Sequence, residues 1–292
     1  MKKGIIFSLI TAILFVTLEP VSKLIANSVN PYAITFWRFL IGSVILIIPA
    51  VAKVKKEKTK ITPKDVIIMT GLGILFICIS MVTLQIAVKN ADSPSLIAII
   101  FSSNSVFTIL FSFMLVKEER LTKNKIIAII FGVVGVLLCT DFSSGTNLTS
   151  VALALCSAVS FSLYTALCRK YMKTMRGIVQ SAGVFLTGSI VLLIALLSMG
   201  VDISVPMDIN TLLILIYLGL FVTGIGYASY FLAMERGGAI MASLAFFIKP
   251  ILTPFATLVI VGIVPDVKVF LAIGCIVIAS YFSVYKKCKK NT

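Results

Sequence analysis

The chain reads twice. A block of five apolar runs over about the first 145 residues recurs through the rest. A common offset of 146 positions carries Gln85 onto Phe231 and Ala128 onto Gly274. Each half has an odd number of runs, so two copies threaded through a bilayer enter it in opposite directions. Inverted repeats of this kind give one chain two related conformations, an arrangement many secondary transporters use.

The runs lie near 4–26, 31–52, 65–88, 94–116, 122–140, 149–169, 177–199, 209–234, 239–262 and 267–285. Most have the length that ~30 Å of hydrocarbon requires at 1.5 Å per residue, the fifth and last being on the short side. Two soluble domains would also fit in 292 residues, but a mean hydropathy of +1.12 with only 13% charged residues sets them aside. No A-x-A-like site follows the run that ends at Leu18, so the N-terminal segment reads as a retained first span. The expected fold is an all-α integral membrane protein of ten transmembrane helices. Its two inverted five-helix repeats occupy 1–141 and 147–287.

The formal charge of +15 is concentrated in alternate breaks. Lys53 to Lys64, Lys117 to Lys125, Arg169 to Arg176 and Lys286 to Lys290 fall on the side of Lys2 and Lys3. The opposite breaks carry Asp92, Asp141, Asp202, Asp208 and Asp266, with Lys89 and Lys268. This pattern puts both termini in the cytoplasm and the chain in the cell membrane. No basic face with interleaved aromatics exists, so a nucleic-acid partner is not expected. The absence of histidine excludes His-ligated metals and Ser-His or Cys-His nucleophiles. Six scattered cysteines without a C-x-x-C pair read as packing residues. Neither a metal nor a cofactor is expected.

Polar side chains enter the spans in stripes. Span one aligns Ser8, Thr11, Phe15, Glu19 and Ser22; span six aligns Ser157, Ser160, Phe161, Tyr164 and Cys168. Asn104, Ser105, Thr108 and Ser112 cluster in span four, and Thr223, Tyr227 and Tyr230 in span eight. Lys249, Thr253 and Thr257 recur every four residues in span nine. Small residues explain themselves as helix–helix seams. Charges do not, since each costs about 2.5–3.5 kcal/mol at mid-span. Pro20 and Pro250 predict kinks, either purely structural or exposing carbonyls to a cavity.

Glu19 and Arg38 each lie ~10 Å inside the outer boundary on neighbouring spans, which suggests a pair that is structural or a gate. The rival reading makes Glu19 a protonatable coupling carboxylate. Lys249 lies ~15 Å along its span, near the midplane and level with Asn104, and its repeat counterpart is Ser103. Either it pairs with Glu19, or with Tyr164, Tyr227 and Tyr230 it attracts an anionic group. Thr223, Thr253 and Asn104 complete the candidate substrate-binding set.

The order of further motifs resembles the EamA repeat of the drug/metabolite transporter superfamily. The first copy carries Phe36-Trp37-Arg38-Phe39, the run Leu84 to Leu115, and Lys117-Glu118-Glu119-Arg120-Leu121-Thr122 before a helix with Gly132 and Gly135. The second carries Tyr217-Leu218-Gly219-Leu220 through Tyr230-Phe231-Leu232-Ala233, then Ala242-Ser243 up to Lys249-Pro250. The resemblance implies ten helices around a central cavity, alternating access and no nucleotide-binding domain. It also implies a small polar substrate such as an amino acid, an amino-acid derivative or an organic anion, exported or imported, with export slightly favoured. Lys249 stands where that family often has an acidic residue, Asn104 where proline is common, and Val264-Pro265-Asp266 replaces the acidic residue that usually follows the second copy's penultimate helix directly. The alternatives are a non-transporting membrane scaffold and an intramembrane enzyme. The enzyme would need a catalytic constellation that these spans do not offer.

Overall fold

Prolines and capping side chains set where several helices begin. Asn30 Oδ1 accepts the Tyr32 amide at 3.1 Å and Pro31 opens the helix that follows. Thr62 and Asp65 form a reciprocal capping box ahead of Pro63. Ser93 precedes Pro94 as expected, but its hydroxyl bonds Ser95 rather than capping the helix. Asp208 accepts the Thr211 amide at 2.8 Å, which holds its carboxyl below the usual aspartate range.

The computed structural model describes residues 2–115, 123–139, 148–171, 177–264 and 267–284. The expected Lys117–Thr122 motif and most of the Asp141–Ser150 loop lie outside these residues. The helices are α1 (Lys2–Val16), α2 (Leu18–Ile25), α3 (Pro31–Glu57), α4 (Pro63–Gly73), α5 (Val82–Asn90), α6 (Pro94–Ser102) and α7 (Asn104–Leu115). The second half supplies α8 (Lys123–Cys139), α9 (Leu148–Tyr171), α10 (Ile178–Ser198), α11 (Ile209–Ile216), α12 (Tyr227–Val261) and α13 (Val267–Val284). Wider π-helical turns, Ile74–Met81 and Tyr217–Gly226, join α4 to α5 and α11 to α12. They begin 143 positions apart and end 145 apart, close to the repeat offset. Such turns often mark functional places.

Two spans are broken in the middle. Span one divides at Thr17, whose hydroxyl bonds Leu14 O and the Tyr217 hydroxyl, both at 2.8 Å. Pro20 then sits in the first turn of α2, where a backbone N–H has no intrahelical acceptor and its absence removes no bond. Span four divides at Ser103. There Ser102, Ser103, Asn104 and Ser105 each turn a side chain back onto a carbonyl three or four residues earlier.

Among the described residues, seven helical stretches are long and apolar enough to cross a membrane: Gly4–Ile25, Pro31–Glu57, Pro63–Asn90, Pro94–Leu115, Leu148–Cys168, Ile178–Ser198 and Ile209–Ala233. Where spans five, nine and ten were expected, the described residues give shorter apolar helices, Ile126–Gly135, Ile248–Val261 and Val269–Ala279. Helical backbone continues through the gap expected between spans eight and nine, residues 235–238. The chain nevertheless reverses there. Tyr230 and Phe246 place their ring centroids 5.8 Å apart, whereas sixteen residues of straight helix would separate them by ~24 Å.

Packing repeats as the sequence does. α3 lies against α10, and α8 against α13, each pair being matched segments of the two halves. α1 packs on α12, while α9, the counterpart of α1, packs on α5, α6 and α7. In the seam between α4 and α10 backbone meets backbone at Gly73 and Gly188, where a Cβ on Gly73 would stand 2.8 Å from the Gly188 backbone. Small residues make such approach possible where lipid offers no hydrophobic driving force.

Candidate functional site

Lys249, in α12, reaches across the interior to α2. Its Nζ donates to Glu19 Oε1 at 2.6 Å, and the two side chains are 1% and 0% exposed. Thr253 bonds back to the Lys249 carbonyl at 2.7 Å, and the ammonium lies 5.0 Å from the centroid of the Phe101 ring. Phe101 comes just before the Ser103 break, and its carbonyl accepts Asn104 Nδ2 at 2.8 Å. The ion pair therefore meets two interrupted spans, one carrying Glu19 and the other presenting Phe101.

The expected Glu19–Arg38 pair does not form. Equal depth placed the two charges together, but depth along an axis leaves the direction around it free, and Glu19 faces α12. Arg38 is buried in α3, with its Cζ 4.7 Å from the Phe39 ring centroid. Its Nε and Nη1 have no hydrogen-bond partner in the protein, and neither has Glu19 Oε2. The guanidinium lies within electrostatic reach of Tyr227 and Glu19.

The three tyrosines belong to an aromatic cluster more than to Lys249. Tyr164 stacks on Phe76 at 4.5 Å, and Tyr227 packs against Phe15, Phe76 and Phe185 at 4.8–5.6 Å. Tyr230 packs against Phe246, three residues before Lys249. Phe39 meets Phe185 edge-on at 5.0 Å. Phe39 and Phe185 are 146 positions apart, as are Phe15 and Phe161, so matched residues of the two halves build this cluster. Applying the repeat offset to every phenylalanine would have found it. Thr223 lies at the α3 seam beside Gly42, its Oγ1 without a partner.

Two clamps that the sequence reading missed lie at one end. Lys23 Nζ bonds the carbonyls of Val88, Lys89 and Ala91 at 3.2, 2.9 and 2.5 Å, capping α5 with a charge from α2. Trp37 Nε1 bonds Ile203 O at 3.0 Å, drawing the segment between α10 and α11 over α3. At the other end a cavity of about 260 Å³ is lined by Lys64, Asp65, Ile68, Met69, Lys170, Tyr171 and Gln180. Among the described residues, no three His, Cys, Asp or Glu side chains converge to hold a metal.

Known proteins give this geometry a context. The family model of the EamA-like transporter family matches twice, over residues 2–140 and 148–285. An uncharacterized transporter of Clostridium kluyveri is 34% identical over 300 residues, spanning 100% of this chain and 96% of that protein. Another uncharacterized transporter, of Archaeoglobus fulgidus, is 23% identical over 287 residues, or 98% of this chain and 100% of its own. A solved crystal structure shares the fold with a TM-score of 0.70 at 19% identity, over 97% of this chain and 96% of its own.

Proposed function

Because the chain belongs to the EamA-like transporter family, we propose that it is a secondary transporter of a small anionic or zwitterionic metabolite, working by alternating access. Candidate substrates are an amino acid, an amino-acid derivative or an organic anion, with export the favoured direction. All ten apolar runs cross the cell membrane under this reading, as two inverted repeats with both termini cytoplasmic. The alternating lysines and the pairing of matched helices support that arrangement.

The Glu19–Lys249 ion pair is the observation that carries the reading. It joins the first repeat to the second through buried charges that stability alone does not explain, since such a pair recovers little of its desolvation cost. A pair that two conformations make and break has a use for that cost. Protonation of Glu19, or approach of a charged solute, frees Lys249 and releases α2 from α12. Tyr164, Tyr227, Tyr230, Asn104, Thr223 and Thr253 then line or flank the path of the solute. The clamps of Lys23 and Trp37 close the outer end in the present conformation, and the cavity at Lys64 and Lys170 is the cytoplasmic mouth.

The test is counterflow into proteoliposomes preloaded with amino acids and organic anions. Wild-type protein should accumulate labelled solute transiently, and Lys249→Gln should not, while still inserting and purifying as a folded protein. Normal transport by Lys249→Gln, or best transport of a cation, contradicts the proposal. No exchange by folded wild-type protein favours the scaffold alternative.

A further inference from the structure

We infer that Arg38, with Gln85 and Ser22, holds the carboxylate of the transported solute, a specific site within the transport reading on which this inference rests. The argument begins with charge. Among the described residues, the buried charged side chains are Glu19, Arg38 and Lys249. The ion pair cancels two of them, leaving the guanidinium as a buried cation whose Nε and Nη1 have no partner in the protein. A buried cation without hydrogen-bond partners in a membrane bundle is costly, and an anion that arrives in use relieves the cost.

The neighbouring elements supply matching donors. Gln85 Nε2, in α5, and Ser22 Oγ, in α2, are buried and also without partners. Ser22 lies four residues before Ala26, Gln85 five before Asn90 and Arg38 seven after Pro31. Along their helices these are depths of ~6, ~8 and ~10 Å from the same boundary. α5 packs against both α2 and α3. Lys23, next to Ser22, bonds the carbonyls of Val88 and Lys89, one turn beyond Gln85. Orphaned donors on three adjoining elements at one level suit an anion with two oxygens. The planar guanidinium matches a carboxylate in two-bond geometry, and the amide and hydroxyl add to it. Lys249, occupied by Glu19, is the switch, and Arg38 is the recognition group. Arg38 also stands within reach of Glu19, so a carboxylate bound there bears directly on the pair.

The experiment uses full-length protein in proteoliposomes. A panel of labelled L-amino acids and aliphatic carboxylates identifies what is carried, and each carried solute is compared with its carboxamide. Wild-type protein should prefer the carboxylate by about 100-fold or more, the scale of two charge-assisted hydrogen bonds. Arg38→Gln should collapse that preference to about 3-fold or less. Arg38→Lys, which keeps the charge but loses the fork, should raise KM by about 10-fold. Gln85→Leu, which removes no charge, should raise KM for the carboxylate by about 10-fold and raise KM for the carboxamide less. It serves as the test if Arg38→Gln fails to fold. A preference undiminished from the wild-type value in Arg38→Gln, or in Gln85→Leu where the first is unfolded, overturns the inference and leaves transport standing. Counterflow confined to solutes without an anionic group does the same. Absence of any counterflow overturns the transport reading itself.

Discussion

A buried ion pair is worth less than it looks until one partner is removed. Lys249→Gln leaves the Glu19 carboxylate without its cation, and Glu19→Gln leaves the Lys249 ammonium without its anion. Each single change should lower stability by about 3–5 kcal/mol, less whatever protonation recovers. The double change Glu19→Gln with Lys249→Gln removes both charges and should be more stable than either single variant. Thermal unfolding of the four proteins in detergent forms a double-mutant cycle, and additive losses would contradict the pairing. The sequence marked Lys249 as the mid-span cation needing a partner and named Glu19 as one candidate. It also offered Glu19 to Arg38, because equal depth on adjacent spans was the only geometry available. Rotation about each helix axis, which tertiary packing decides, was not legible.

The helices depart from regularity at places that sequence patterns describe poorly. The π-helical turns of Ile74–Met81 and Tyr217–Gly226 have no residue signature. What exposes them is that both halves have one at the same relative position. Thr17 and Ser103 break their spans, whereas the prolines had drawn attention to Pro20 and Pro250. The reversal in α12 passes through helical backbone in the gap between the expected spans eight and nine, so hydropathy marked the change of direction and not its conformation. The α4–α10 seam gives a prediction at this scale. Gly73→Ala drives a Cβ against backbone that cannot give way, at 2.8 Å, and should cost about 1–3 kcal/mol. Gly71→Ala, with open space around its Cβ, is the matched control and should change little. Comparable unfolding midpoints for the two variants would contradict the close approach.

Viewed whole, the molecule was largely legible as a membrane-embedded double repeat, because hydropathy and the 146-residue offset depend only on composition along the chain. The site was less so, since it depends on which faces of α2, α3, α5 and α12 turn toward one another. Topology is directly testable. Single cysteines at Lys58 and Asp202 in a cysteine-free protein should react with an impermeant maleimide from opposite sides of the membrane, Asp202 from outside. Equal labelling of both in intact cells would contradict inverted repeats with cytoplasmic termini. Alternating access makes the sharpest demand on the account. Met69→Cys reports the mouth beside Lys64 and Lys170, and Ile203→Cys the outer segment held by Trp37. In proteoliposomes, a solute identified by counterflow should change the two maleimide labelling rates in opposite directions, one rising as the other falls. Rates that stay fixed, or that rise and fall together, would contradict it.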